Sequence, residues 1–249
     1  MDWYLEWFGE EYLELYAHRS DEEATRQVEF VLEHLPAEPP KHVLDVACGR
    51  GRHVYELARR GIDTIGIDTA DAALDAAREK LAEFSSHARV EKADMRDLPF
   101  ADSSFDLIIS MFTSFGYFKN DIEHLALLNE WKRCIHATGW IFIDYMNRER
   151  TVAGLIPEST EEYDDKIVAQ RRFLSSDGKR VNKEITITNK TTNEVSTFNE
   201  SVRLYDYNGM NAILHGASLK AAAVFGDFDG SSYSPDSNRL LIFAKPDAG

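Results

Sequence analysis

The chain has 249 residues, of which 43% are hydrophobic and 29% charged, so it is long enough for one large globular domain with an insert. Its 28 Lys and Arg against 43 Asp and Glu leave a formal charge of −15, which disfavours binding to long nucleic acids. No apolar run is long enough to cross a membrane, the acidic start is unlike a secretory signal, and Cys48 and Cys134 lack metal-ligand spacing. We therefore expect a cytoplasmic enzyme without a metal site.

Residues 1–36 predict two short helices, which we expect to form a lid. Aromatic side chains recur at helical spacing from Trp3 to Tyr16, so one face of the first helix is aromatic. Ser20 and Glu23 form a capping box at the start of the second helix, and the helix ends before Pro36.

Short apolar strands alternate with amphipathic helices after this segment. The pattern predicts strands at 42–48, 63–68, 89–94, 105–112 and 140–146, and helices at 53–61, 72–84 and 124–135. Repeated strand–helix units with buried strands indicate a parallel sheet covered by helices on both faces. A weak helix at 210–219 and two further strands, at 221–228 and 239–246, are predicted to complete this α/β core.

Residues 160–207 are rich in β-branched side chains and contain turn sequences at 176–179 and 189–193. They predict a small antiparallel sheet inserted into a core of residues 37–159 and 208–249. The insert could cap an acceptor pocket of a monomer, or pair with a second subunit in a homodimer through its exposed strand edges.

A glycine-containing turn follows the first predicted strand, in the run Asp45-Val46-Ala47-Cys48-Gly49-Arg50-Gly51. Glycine allows a tight turn and lets a ligand approach the backbone, although a purely structural turn would also explain two glycines. A dinucleotide fingerprint needs another glycine where this chain has Val54, which disfavours an NAD-linked oxidoreductase. The acid inside the strand suits a cationic ligand better than a phosphate.

Carboxylates also stand at the ends of the next two predicted strands. Asp68 lies 17 residues after Gly51, where a carboxylate can accept both hydroxyls of a ribose. Asp94 could accept a hydrogen bond from the amino group of an adenine, and the backbone N–H of Met95 could donate one to the adenine ring. The fourth strand ends near Met111, at the same edge of the sheet. A helix cap or a solvated residue would explain any one of these acids, whereas the set indicates one shared site.

With these motifs the chain resembles the class I S-adenosylmethionine-dependent methyltransferases, in particular small members with an antiparallel insert after the fifth strand, an architecture shared with sugar-amine N-methyltransferases. The resemblance covers residues of about 10–150 and 215–245. It implies a Rossmann-like seven-stranded sheet in the order 3-2-1-4-5-7-6, with the seventh strand antiparallel, and S-adenosylmethionine as the cofactor.

The resemblance also assigns residues to that cofactor. The matching positions are Asp45, Ala47 (in place of the usual first glycine), Gly49 and Gly51 for the methionine part, Asp68 for the ribose, Asp94 and Met95 for the adenine, and Met111 beside them. By the same analogy the leading helices close over the cofactor, so Tyr16 and Arg19 are candidates for its sulfonium and carboxylate ends.

The acceptor pocket is expected beyond the fourth strand, where a loop carries Phe112, Phe115 and Tyr117, with Tyr12 contributed by the lid. Ordinary packing would explain the same aromatic residues.

These features predict methyl transfer to a nitrogen or oxygen of a small molecule, achieved mainly by alignment of the reactants. A hydroxyl acceptor needs a general base, and none is evident, which favours nitrogen. The alternatives are a non-catalytic protein that binds S-adenosylmethionine or its demethylated product, and an RNA-directed methyltransferase.

Overall fold

The computed structural model describes residues 3–9, 11, 15 and 20–247. Tyr12, Tyr16 and Arg19 lie outside the described residues, so their roles stay predictions. In the part of the chain that is described, no helix has both the length and the apolar character needed to cross a membrane.

The central sheet has the strand order that the resemblance implies, β3-β2-β1-β4-β5-β11-β10. Its strands are β1 (His42–Val46), β2 (Asp63–Asp68), β3 (Ala88–Lys92), β4 (Phe105–Ser110), β5 (Ile135–Met146), β10 (Leu219–Phe225) and β11 (Arg239–Pro246). The pairs among β1 to β5 are parallel, and β11 runs antiparallel to both β5 and β10. The predicted fold class is therefore confirmed.

Helices cover both faces of this sheet. Within the described ranges they are α1 (Tyr4–Trp7), α2 (Asp21–His34), α3 (Arg52–Arg59), α4 (Asp71–Lys80), α5 (Asp121–Cys134), α6 (Arg148–Ala153) and α7 (Tyr207–Gly216). Leu44 and Val46 pack with residues of α5 and α7, whereas Val43 packs with α2 and α3. Because alternate residues of β1 face different helices, the strand is buried from Val43 to Val46. Helix α6 was not predicted, because its six residues are too few to show a helical period in the sequence.

The predicted insert forms a separate four-stranded antiparallel sheet. Its strands are β6 (Glu158–Glu162), β7 (Lys166–Leu174), β8 (Arg180–Asn189) and β9 (Val195–Arg203), and they lie in chain order. The sheet thus begins two residues before the expected first residue of the insert and ends four residues before its expected last residue.

One face of the insert packs against the amino-terminal segment. Trp7 is 1% exposed and lies among Val168, Ile185 and Ile187 of the insert. Its indole Nε1 donates to a carboxylate oxygen of Glu200 at 2.6 Å. The insert therefore holds the aromatic segment that precedes α2.

A polar network that runs from the surface to a buried histidine joins the end of the insert to α5. Arg203 pairs with Asp121 at 2.9 Å, and the Tyr205 hydroxyl donates to the same carboxylate at 2.6 Å. Since Tyr205 gives its proton to Asp121, its oxygen is left to accept from Nδ1 of His124, 3.2 Å away. The His124 ring is fully buried, and its Nε2 has no partner among the described residues. Burial, with Arg180 as the next cause, lowers the pKa of His124 to about 4.

This network predicts that the protein loses stability as the pH falls from about 6.5 to about 4. The unfolded chain protonates His124 near its ordinary pKa of 6.5, whereas the folded protein resists protonation until about 4. The difference corresponds to about 3 kcal/mol of unfolding free energy, present above the window and lost across it. Urea unfolding at a series of pH values should show that decline, and His124→Asn should flatten it. His136→Asn, at a half-exposed side chain, is the control. An equal slope in wild type and His124→Asn would refute the assignment.

Candidate functional site

The carboxyl ends of the parallel strands open into one cavity of about 500 Å³. Parallel strands bring residues that are distant in sequence to this edge. The predicted site residues that line the cavity are Ala47, Gly49, Asp68, Asp94, Met95, Met111, Phe112 and Tyr117. Asp45, Gly51 and Phe115 are not among its lining residues.

The glycine turn between β1 and α3 forms the floor of the cavity. Ala47, Gly49 and Gly51 have φ values of 56°, 54° and 70°, in the left-handed region that favours glycine. A Cβ on Gly49 would meet no atom within 4 Å, so this residue presents bare backbone to open space. A Cβ on Gly51 would lie 3.0 Å from that of Ala77, so Gly51 instead allows α3 to pack against α4.

Asp68, at the end of β2, connects two turns at the cavity wall. One carboxylate oxygen accepts the N–H of Gly49 at 2.8 Å, and the other accepts the N–H of Ala70 at 3.0 Å. Ala70 is the N-cap residue of α4, so Asp68 is not the helix cap that the sequence left open. Burial raises the pKa of Asp68, and the N–H groups of Ala70 and Gly49 act in the opposite direction. Each oxygen retains a lone pair for a ligand hydroxyl.

Asp45 lies within the sheet beside the glycine turn. It is 1% exposed, and neither carboxylate oxygen has a hydrogen-bond partner among the described residues. Burial and then the nearby Asp68 raise the pKa of Asp45 well above its usual range, while Arg52 lowers it. A buried carboxylate without donors indicates a place that a ligand or water completes.

Arg52, the first residue of α3, is a site residue that the sequence analysis missed. It lines the cavity, donates to the carbonyl of Ser20 at 2.7 Å and pairs with Glu23 at 3.2 Å. Its guanidinium lies 5.2 Å from the centre of the Phe112 ring. Arg52 directly follows the last glycine of the turn, and this position could have predicted that it lines the cavity, because the start of that helix borders the ligand.

Asp94 and Met95 lie at the end of the cavity next to β3. The guanidinium of Arg96 donates to both oxygens of Asp94, at 3.0 and 2.6 Å, and stacks 4.4 Å from the ring centre of Phe118. The Asp94 carboxylate is thus oriented by an arginine, an interaction that the sequence analysis did not anticipate. Met95 is buried, and its carbonyl accepts Nε1 of Trp131 at 3.3 Å.

The loop after β4 supplies part of the opposite wall. Phe112 and Tyr117 line the cavity as expected. Phe115 does not line it, and its expected place there is corrected: the ring is fully buried and packs against Trp131, Tyr145 and Tyr205. A short 3₁₀ turn turns this side chain into the core while its neighbour Ser114 stays at the cavity.

Aromatic residues of the amino-terminal segment complete this wall. Tyr4 and Phe8 line the cavity, and both stack on Tyr117, with ring centres 6.5 and 5.5 Å apart. The sequence analysis placed an aromatic lid here but selected residues farther along the segment. Together these rings offer faces that attract a cation.

The residues at the cavity fit S-adenosylmethionine. The bare backbone of Gly49 suits the approach of its charged methionine end, and Asp68 has lone pairs for ribose hydroxyls. The unpartnered carboxylate of Asp45 lies behind this turn and does not line the cavity. The aromatic faces suit its positively charged sulfur.

Comparison with known proteins agrees. A family model described as a methyltransferase domain matches residues 43–139. One relative is a dTDP-3-amino-3,4,6-trideoxy-alpha-D-glucopyranose N,N-dimethyltransferase of Streptomyces venezuelae. It is 33% identical to this chain over 128 residues, which cover 45% of this chain and 52% of the relative. The chain therefore carries a methyltransferase domain and is similar to the class I S-adenosylmethionine-dependent methyltransferases.

Solved structures share the fold of this methyltransferase over nearly its whole length. The CcbJ methyltransferase of Streptomyces caelestis superposes with a TM-score of 0.81 at 14% identity, covering 97% of this chain and 98% of that one. CalS10 of Micromonospora echinaspora, an amino pentose methyltransferase with S-adenosylmethionine bound, superposes with a TM-score of 0.66 at 20% identity, covering 92% of each chain.

The glycine turn gives a matched test of cofactor binding. Gly49 and Gly178 both have positive φ, 54° and 65°, and a Cβ on either meets no atom within 4 Å, but only Gly49 lines the cavity. Gly49→Ala and Gly178→Ala should each lose about 1–2 kcal/mol of stability by urea unfolding. By calorimetry, only Gly49→Ala should weaken binding of S-adenosylhomocysteine, by about tenfold or more. Unchanged affinity in Gly49→Ala would place the cofactor elsewhere.

Proposed function

We propose that this methyltransferase transfers a methyl group to the amino nitrogen of a small molecule, with an amino sugar as the leading acceptor class. The carrying observation is the aromatic wall of Tyr4, Phe8 and Tyr117, which shares one cavity with the glycine turn and Asp68. Such a wall excludes water and stabilises the positive charge that an amine carries once it is methylated. The names of the Streptomyces venezuelae relative and of CalS10, both acting on amino sugars, support this class.

Each part of the cofactor has a proposed partner on this chain. Gly49 and Ala47 border its methionine end, Arg52 pairs with its carboxylate, and Asp45 receives its ammonium group through water. Asp68 accepts the ribose hydroxyls. The adenine lies toward β3, where Asp94, Met95 and Met111 remain candidates.

When bound, S-adenosylmethionine supplies an activated methyl group. The lone pair of the acceptor nitrogen forms the new bond to the methyl carbon, and the electrons of the broken carbon–sulfur bond remain on sulfur. The protein's residues have to align the acceptor and keep water out. Phe112 and Tyr117 are placed to orient the acceptor, and the segment held by Trp7 and Glu200 covers the cavity. A neutral amine releases its proton to solvent after transfer, so it needs no base on the enzyme.

An oxygen acceptor is the second candidate, favoured by one observation. His53 lines the cavity and is buried, with Nε2 2.8 Å from the side-chain oxygen of Gln27. Since an amide oxygen only accepts, Nε2 carries the proton and Nδ1 is the basic nitrogen that a hydroxyl acceptor would require.

An RNA acceptor is less well supported. Several basic residues of the insert pair with carboxylates, as in Arg171 with Glu184 at 2.9 Å and Lys190 with Glu162 at 2.7 Å. Such pairs leave little net positive charge for a phosphate backbone.

A paired acceptor panel tests the proposal. Aminodeoxy sugars, free and nucleotide-linked, are compared with the matching hydroxy sugars, and mass spectrometry detects the added methyl groups. We expect methylation of amino compounds only, at a rate that rises with pH as the acceptor amine loses its proton. Methylation of hydroxy sugars alone, abolished in His53→Asn, would establish the oxygen alternative instead.

The ribose assignment gives a further prediction. Asp68→Ala should weaken S-adenosylhomocysteine binding by about tenfold to a hundredfold, because hydrogen bonds to a charged group are lost. Asp68→Asn, which keeps the shape and one acceptor oxygen, should fall between. Asp63→Asn is the matched control, since Asp63 begins the same strand at its opposite, exposed end. Equal calorimetric affinity for wild type and Asp68→Ala would remove Asp68 from the site.

A further inference from the structure

The loop after β4 contains two consecutive non-glycine residues in the left-handed region. Phe112 has φ 54° and Thr113 φ 68°. A β-branched residue such as threonine rarely adopts this conformation, because its side chain meets the backbone. Strained residues of this kind persist only where the surrounding structure holds them, and they cluster at functional sites.

A buried carboxylate on β5 holds this turn. Asp144 is 1% exposed, and its Oδ2 accepts the N–H of Phe112 at 2.9 Å. The N–H of Thr113 donates to the main-chain oxygen of the same residue at 2.9 Å. Asp144 therefore fixes both strained residues through their backbone.

An arginine on β11 completes the arrangement. The Nε of Arg239 donates to Oδ1 of Asp144 at 2.6 Å, and one terminal nitrogen donates to the hydroxyl of Thr113 at 3.1 Å. The antiparallel register of β5 and β11 brings Arg239 beside Met146, two residues from Asp144. Neither Asp144 nor Arg239 lines the cavity.

The turn determines what the cavity wall presents. The Phe112 ring lies 5.2 Å from the guanidinium of Arg52 and 6.0 Å from the His53 ring, both at the start of α3. Ser114 and Tyr117 of the same loop also line the cavity. The position of this loop thus fixes the acceptor wall relative to the glycine turn.

We propose that Asp144 and Arg239 are positioning residues for methyl transfer, which act by holding Phe112 and Thr113 so that the acceptor is aligned with the cofactor. The inference rests on the proposed function for its catalytic readout. It assigns a role to two residues that touch neither reactant.

Asp144→Asn is the discriminating variant. Asparagine has nearly the same shape as aspartate but only one acceptor oxygen. Its amide NH₂ must therefore face an N–H donor of either Phe112 or Arg239, and one of the two hydrogen bonds is lost. We expect kcat/KM for the amino acceptor to fall by about tenfold or more, while the affinity for S-adenosylhomocysteine stays within about twofold. Asp106→Asn is the control, because the Asp106 carboxylate likewise accepts backbone N–H groups, at 2.8 and 3.0 Å, but at the opposite edge of the sheet.

A rescue separates positioning from general stability. Glycine adopts a φ of 68° without steric cost, so Thr113→Gly should let the turn keep its shape without the carboxylate. Asp144→Asn with Thr113→Gly should therefore recover most of the lost kcat/KM. Because relief of this strain can also raise stability, the unfolding free energy of each variant is measured in urea, and recovery of kcat/KM between variants that are both fully folded in the assay indicates positioning.

A second readout needs no acceptor. 4-Fluorophenylalanine at position 112 reports the place of the ring by ¹⁹F NMR with S-adenosylhomocysteine bound. Asp144→Asn should move or broaden the resonance, and Thr113→Gly should return it. An unchanged resonance and unchanged kcat/KM in Asp144→Asn, or a loss shared equally by Asp106→Asn, would overturn the inference. If the resonance responds as expected but wild type methylates no amine, the proposed acceptor class fails and the positioning of the loop stands.

Discussion

The hydrogen bond from the N–H of Gly49 to Asp68 is the interaction on which the cavity depends. It joins the turn after β1 to the end of β2, and the N–H of Cys48 reinforces it by donating to the carbonyl of Ile67 at 2.9 Å. This close approach requires Gly66, where a Cβ would lie 2.7 Å from the sulfur of Cys48. A bulkier residue at any of these places would separate the two strand ends, and with them the backbone and the carboxylate that face the ligand.

The charges at this end of the sheet are arranged for a cationic ligand. Burial and, after it, the neighbouring Asp68 raise the free energy of the ionised Asp45 carboxylate, so the pKa of Asp45 is raised well above its usual range. Arg52 lowers that pKa but is itself shared with Glu23. A ligand that brings positive charge relieves this repulsion, whereas an anionic ligand would add to it.

The sequence predicted the fold and the cofactor side of the site more fully than the acceptor side. Gly49 and Asp68 could be predicted to lie at one edge of the sheet because strand ends and glycine turns are local patterns, and both residues line the cavity. The ion pair of Asp94 with Arg96 was not predicted, because in the sequence each residue alone is equally consistent with a charged side chain in solvent. Phe115 was misplaced because an aromatic residue in a loop can face either the core or the cavity, and only the 3₁₀ turn decides which.

This difference has a physical origin in how the two halves of the cavity are built. The cofactor side comes from consecutive strand–helix units, within a stretch that a general methyltransferase model also matches. The proposed acceptor side combines the amino-terminal rings, the loop after β4 and, behind them, the insert, whose Glu200 accepts a hydrogen bond from Trp7, 193 residues earlier in the chain. Each of these parts can change its side chains without disturbing the hydrogen bond between Gly49 and Asp68. Relatives can therefore keep one methyl donor while their acceptors diverge, and the identity of the acceptor has to be determined from the assembled wall.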